Sequence, residues 1–177
     1  MDDPSVSLLA WTTTPWTLPM NLGLCVNPKL QYIKIHDDER NADFILCDQL
    51  LKTLYKKPQS AKYKVLATYK GTDLVGWKYT PPFSRYYDEY KHCGFKVLMD
   101  DYVTSDSGTG IVHQAPAFGD DDHRIAVREG IVRRDQMPPC PIDEAGIYTD
   151  ELPELKGLYV KVSACSPGCC SHVPPLT

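Results

Sequence analysis

The sequence predicts an α/β domain with a β-barrel-like core of short strands and few peripheral helices. Two observations carry that expectation. Short apolar or alternating runs recur along the chain between turn residues, and only two stretches carry a helical pattern. At 177 residues, with 42% hydrophobic and 24% charged residues, the chain is sized for one globular domain with a sizeable core.

In chain order, Ser7 to Trp11 is a short apolar strand candidate that runs into Thr12-Thr-Thr-Pro-Trp-Thr-Leu-Pro-Met-Asn21. Pro15 and Pro19 deny that stretch regular ladder bonds. Leu22–Val26 and Gln31–His36 read as strands joined by a turn at Asn27-Pro28, with Asp37–Arg40 as a charged turn and Phe44–Leu46 as a third strand. Asp48 is expected to cap a helix whose Leu50, Leu51, Leu54 and Tyr55 share one face, ending near Lys56-Lys57-Pro58. Tyr63–Tyr69 alternates and meets Gly71, and Gly76–Phe83 is an irregular aromatic loop across the end of a sheet. Phe95–Met99 and Thr109–Gln114 are further strands. Residues 124–129 then form a helix closed by Gly130, and Ile131-Val132, Pro138–Pro141 and Gly157–Val162 are short edge elements.

Composition excludes several function classes. No apolar run approaches the roughly 18 residues of a membrane span, and Met1-Asp2-Asp3-Pro4 is neither a basic nor an apolar leader, so a cytoplasmic location without a membrane partner is expected. Seven cysteines, an odd count with Cys25, Cys47, Cys93 and Cys140 standing singly, fit free thiols in a reducing compartment. A net charge of −4 argues against a stand-alone nucleic-acid binder driven by phosphate contacts.

Chemistry concentrates in Gly108-Thr-Gly-Ile-Val-His-Gln-Ala-Pro-Ala-Phe-Gly-Asp-Asp-Asp-His123. It reads as strand, loop and helix start. Asp120 is placed to cap the helix, with Asp121 and Asp122 in its first turn, where carboxylates meet unpaired N–H groups and partial positive charge. A cap needs one carboxylate, so three beside His113 and His123 leave a surplus whose field attracts a cation, either a metal or an ammonium. The second stretch, with Thr12, Thr13, Thr14 and Thr17 between two tryptophans and two prolines, reads as a rigid polar wall able to orient a small ligand or water. The bland alternative is threonines bonded to their own backbone. No Ser/His/Asp or Cys/His arrangement, His-x-Gly-His motif or Gly-rich phosphate loop stands out.

Taken together, Trp11-Thr-Thr-Thr-Pro-Trp-Thr-Leu-Pro-Met-Asn21 and Gly108-Thr-Gly-Ile-Val-His-Gln-Ala-Pro with Gly119-Asp-Asp-Asp122 resemble the editing (CP1) domain inserted in isoleucyl-tRNA synthetase of the eukaryotic cytosolic type. The resemblance covers about residues 6–162. It is specific, since the related valyl and leucyl editing domains carry Arg-Pro after two threonines where this chain has Thr14-Pro15-Trp16. His123 stands where that family usually has tyrosine.

The resemblance implies an aminoacyl-tRNA deacylase that removes valine wrongly esterified to the 3′ end of the isoleucine tRNA, with valyl-adenylate as a second candidate substrate. One missing methylene is worth only about 1–3 kcal/mol of discrimination, a limit for which isoleucyl-tRNA synthetase is itself the standard example, so a second pocket must select by size. By position, Asp122 would hold the substrate ammonium, with Asp121 in reserve, and His113 would exclude isoleucine. Thr13 and Thr14 would place water, and Trp11, Thr12, Thr17 and Asn21 would contact substrate. No cofactor and no metal is implied; the partners are mischarged tRNA with its valine moiety and the rest of a synthetase chain. Two other classes remain open from the residues alone: a metal-dependent hydrolase using Asp120, Asp121, Asp122, His113 and His123, and a non-catalytic interaction module presenting Lys56, Lys57, Arg133 and Arg134.

Residues 1–162 are assigned to the domain and 163–177 to a disordered or non-native tail. Cys165, Cys169, Cys170 and His172 are ligand types for zinc, but their Ser/Pro/Gly surroundings offer nothing to pack. Removing residues 163–177 is therefore expected to leave the melting temperature unchanged; a clear drop, or stoichiometric zinc in the purified protein, contradicts this.

Overall fold

The computed structural model describes residues 6–55 and 62–163, so the tail beyond Ser163 and Lys56-Lys57 lie outside the described residues. Two sheets organise the chain. The first has the order β1 (Val6–Leu8), β4 (Ala42–Cys47), β3 (Gln31–Asp37), β5 (Tyr63–Lys70), with β1 parallel to β4 and the other pairs antiparallel. The second places β2 (Gly23–Val26) between β6 (Val97–Met99), parallel to it, and β7 (Ile111–Gln114), antiparallel. Among the described residues the strands form two sheets rather than one closed ring.

Period-two patterning explains how the first sheet covers two cores. Ile33 faces Leu46 and Ile35 faces Phe44 across the β3–β4 ladder, and these four form a small cluster under Leu51, Leu54 and Tyr55. On the opposite face, Tyr32, Ile45 and Cys47 join the main core against the second sheet. β2 is buried at every residue, as its unbroken apolar run requires of a strand covered on both faces.

The two sheets are joined through the Gly108–Gly110 turn. Cys47 N donates to Thr109 O at 2.8 Å, Thr109 Oγ1 to Leu9 O at 2.5 Å, Thr53 Oγ1 to Gly108 O at 2.8 Å, and Tyr32 Oη to Gly110 O at 2.8 Å. Gly108 and Gly110 have φ of +71° and +75°. A Cβ on Gly110 would stand 2.3 Å from Cys47 Cβ, so this turn needs glycine both for its conformation and for its approach to β4.

The helix α4 (Asp120–Arg128) buries Ile125 and Ala126 and ends in a Schellman motif: Ile131 N reaches Ala126 O at 2.8 Å and Gly130 N reaches Val127 O at 3.1 Å, with Gly130 at φ +68°. Asp100, beyond β6, holds it from the side. Its carboxylate accepts from Arg124 Nη1 and Nη2 at 2.9 and 3.0 Å and from Arg128 Nη1 at 2.7 Å.

Several expectations need correction. Asp48 does not cap a helix; it is the first residue of a 3-10 turn, Asp48–Leu50, that leads into α1 (Leu51–Leu54), and Cys47 precedes it without a side-chain cap. Asp120 does not cap α4 either, since Gly119 occupies that position in extended backbone. The 76–79 segment is more ordered than a loop: Gly76 N, Val97 N and Tyr79 N bond to Val97 O, Trp77 O and Phe95 O. The one-turn helices α2 (Gly71–Leu74), α3 (Tyr87–Tyr90) and α5 (Val160–Ser163) are too short to leave a periodic signal. Ile131 and Val132 are buried behind α4 rather than forming an edge element, whereas Ile142↔Tyr148 and Ile147↔Tyr159 are single bridges.

Gly110→Ala is expected to lose about 3 kcal/mol or more, combining left-handed strain with overpacking. Gly130→Ala, with no atom within 4 Å of the added carbon, should lose only about 1 kcal/mol. Urea midpoints of the two variants check the contrast.

Candidate functional site

A cleft of about 360 Å³ opens between the Trp11–Thr17 stretch and the segment from Tyr102 to Asp122. Its first wall leaves β1 and enters a 3-10 helix, Pro15–Met20, where Pro15 at the start has no N–H to satisfy. Thr12 Oγ1 accepts Thr14 N at 2.9 Å and lies 3.3 Å from Thr14 Oγ1. Thr17 N and Thr17 Oγ1 both donate to Thr14 O, at 3.0 and 2.9 Å. These threonines do bond their own backbone, and that is how the wall is kept rigid. Thr13 and Thr14 remain exposed, and Trp11, 56% exposed, stands at the mouth. The Trp16 ring meets Phe118 edge-on at 5.2 Å, closing one side.

His113 forms the floor. It faces inward because Gly23–Val26 pairs with β7 in the register Leu24↔His113, and it is 8% exposed. Its Nε2 lies 3.0 Å from Thr17 Oγ1. Since the Thr17 hydroxyl donates its single proton to Thr14 O, its oxygen accepts from Nε2–H, which assigns the proton to Nε2 and leaves Nδ1 as a bare acceptor. Nδ1 is buried and has no hydrogen-bond partner among the described residues. Burial pushes the imidazole down to about 4, so His113 is neutral at physiological pH.

The three aspartates part company at the start of α4. Asp120 is exposed and lines a separate surface hollow with His123. Asp121 turns to Arg124, with Oδ1 2.8 Å from Nη2. Asp122 alone lines the cleft. Its Oδ2 accepts from Ala115 N at 2.9 Å, folding the carboxylate back over Gly119, where a Cβ would come within 3.0 Å of Asp122 Cγ. Burial raises its pKa, the Ala115 N–H opposes that shift and the Asp121 charge adds to it. Among the described residues no lysine, arginine or histidine pairs with it in a salt bridge, and no group of three or more His, Cys, Asp or Glu stands together to hold a metal ion.

Of the residues named from sequence, Trp11, Thr12, Thr13, Thr14, Thr17, His113 and Asp122 come together around one cleft. Asp121 and Asn21 do not. Asn21 is buried behind the wall, donating to Gly23 O at 2.9 Å and accepting from Tyr79 Oη at 2.5 Å, so its amide supports the threonine turn. Sequence reading missed Tyr102, Thr104 and Ser107 in the lining. Their only available signal was adjacency to Gly108-Thr109-Gly110.

In fold, the protein resembles the crystal structure of GlLeuRS-CP1 (TM-score 0.59, 21% identity, 95% of this chain and 66% of that one). It also resembles the P. knowlesi cytosolic leucyl-tRNA synthetase editing domain (TM-score 0.54, 16% identity, 71% and 52%). The architecture is thus that of a synthetase editing domain. In sequence, the chain matches the cytoplasmic isoleucine–tRNA ligase of Saccharomyces cerevisiae at 52% identity over 154 residues and that of Mus musculus at 48% over 160. These matches take in 87% and 90% of this chain but only 14% and 12% of those proteins. No protein-family model matches. The chain is therefore homologous to a region of cytoplasmic isoleucyl-tRNA synthetase. Among the described residues no helix is long and apolar enough to cross a membrane.

The His113 shift carries a stability consequence. The unfolded imidazole titrates near 6.5 and the folded one near 4, so the unfolded chain binds more protons between those values. The contribution is complete above about pH 6.5 and lost as pH falls toward 4. His113→Leu should flatten the fall in melting temperature across that window.

Proposed function

We propose that this chain is the post-transfer editing domain of an isoleucyl-tRNA synthetase, hydrolysing the ester of valine mischarged onto the isoleucine tRNA. The observation that carries the reading is Asp122, a partly buried carboxylate in a threonine-lined cleft with no cationic partner among the described residues. Such a group is best complemented by a cation brought by the ligand, and an α-ammonium supplies one. The divergence of Asp120, Asp121 and Asp122 argues against a shared metal.

An aminoacyl ester is already activated, so holding the ammonium and placing a water near the carbonyl supplies much of the rate without a covalent nucleophile. The water adds to the carbonyl carbon, the bond to the ribose oxygen breaks, and that oxygen leaves with the proton the water has given up. Asp122 anchors the ammonium. The exposed Thr13 and Thr14 hydroxyls hold the water, and His113, fixed by Thr17, limits the depth available to the side chain. The adenylate of valine offers the same ammonium and activated carbonyl and is a second candidate substrate. In the parent protein, the rest of the synthetase charges the tRNA and presents its 3′ end, and the site works in the cytoplasm without a metal.

Because Asp122 also satisfies the buried Ala115 N–H, its removal by alanine mixes function with stability. Asp122→Asn keeps an acceptor. It should not lower stability at pH 7, where the carboxylate's raised pKa makes its charge unfavourable to the fold, yet it should slow valyl-tRNA hydrolysis by about ten- to a hundredfold. His113→Ala should let isoleucyl-tRNA be deacylated as well, with a modest fall for valine. Deacylation assays on both charged tRNAs read these outcomes. Normal hydrolysis by Asp122→Asn overturns the site, chelator-sensitive activity restored by a divalent ion favours the metal-dependent class, and absence of hydrolysis with retained protein binding favours an interaction module.

A further inference from the structure

The cleft wall holds a polar group that the reading above leaves unused. Tyr102 lines the cleft, and its oxygen accepts a hydrogen bond from Gln114 Nε2 at 2.7 Å. A second bond fixes the sense of the first: the same nitrogen donates to Val112 O at 3.3 Å, and a carbonyl only accepts, so the NH₂ side of the amide faces Tyr102. Gln114 is 1% exposed, and its Oε1 has no partner among the described residues, so the amide keeps this orientation at the expense of its own oxygen.

The phenol proton is therefore left over. Among the described residues no hydrogen bond takes it. Burial holds the phenol pKa well above its ordinary value, the Gln114 N–H opposes that shift and the Asp122 and Asp121 charges add to it, so the proton stays in place. Tyr102 and Asp122 line the same cleft.

We propose that Tyr102, oriented by Gln114, donates a hydrogen bond to the carbonyl oxygen of the bound ester and to the oxyanion that forms there when water adds. This rests on the editing reading. In an α-aminoacyl ester only the α-carbon and the carbonyl carbon separate the ammonium from the carbonyl oxygen, so a substrate anchored at Asp122 brings that oxygen into Tyr102's neighbourhood. A neutral donor suits the position. A lysine or arginine there would pair with Asp122 and displace the ammonium, whereas a phenol stabilises developing negative charge without competing for the carboxylate. As water's oxygen bonds to carbon, the carbonyl electron pair moves onto the oxygen facing Tyr102. When the pair returns, the ribose oxygen departs with the water's proton, and Tyr102 keeps its own.

The test is steady-state hydrolysis of valyl-tRNA for isoleucine by the full-length synthetase carrying this domain, wild type against Tyr102→Phe, with melting temperatures in parallel. The expected result is a ten- to hundredfold fall in kcat, KM within about twofold, and an unchanged melting temperature. Gln114→Leu, which frees the phenol to turn, should give a smaller fall of the same kind. Difluorotyrosine at position 102, a more acidic phenol, should move the alkaline limb of the rate profile to lower pH, which a packing role would not do. A Tyr102→Phe enzyme with wild-type kcat, or with its loss confined to KM, overturns the proposal and leaves the editing reading standing. If the wild-type enzyme releases no valine, both fall together.

Discussion

The contact on which the rest of the structure depends is the approach of the Gly108–Gly110 turn to the end of β4. It brings two sheets built from distant parts of the chain to within backbone hydrogen-bonding distance, through Cys47 N and Thr109 O. Only glycine satisfies both the positive φ and the missing Cβ at position 110. From there β7 begins, and its register against β2 decides that His113 points toward Thr17. A slip of one residue would turn His113 out and Gln114 in. The cleft floor is therefore specified by a backbone contact at the far end of the strand that carries it.

α4 is held with comparable care and for the same purpose. The bidentate Arg124–Asp100 pair and the Arg128–Asp100 bond tie the helix to the end of β6, and the Schellman turn at Gly130 stops it. Exposed ion pairs contribute little singly, but three bonds converging on one carboxylate restrain an orientation. What they orient is Asp122, a group whose environment disfavours its charge. Its single described hydrogen bond, from Ala115 N, leaves most of its capacity unspent.

His113 shows the same balance of fold against function. Its ring is buried at the cost of an unsatisfied Nδ1, and burial keeps it uncharged. On the proposed editing reading, a neutral ring in the same cleft as Asp122 adds bulk without adding a positive charge that competes with the substrate ammonium.

Much of this was determined by local sequence. Alternation placed β3 and β5, and an unbroken apolar run placed the buried β2; Pro15 and Pro19 marked the threonine wall as irregular; and Asp120-Asp121-Asp122 before an apolar run announced a helix start. The two motifs identified the residues that meet in the cleft because their side-chain chemistry is legible one residue at a time. The tertiary structure decided matters that arise from direction and from contacts across the chain. Three adjacent aspartates at a helix start leave their backbone at different angles, so only the fold could send Asp122 to the cleft, Asp121 to Arg124 and Asp120 to solvent. Asn21, a plausible ligand contact in sequence, proved to be a buried prop because Tyr79, 58 positions away, takes its amide oxygen. Tyr102 carries no motif of its own, and its bond from Gln114, twelve positions away, is visible only in the folded chain.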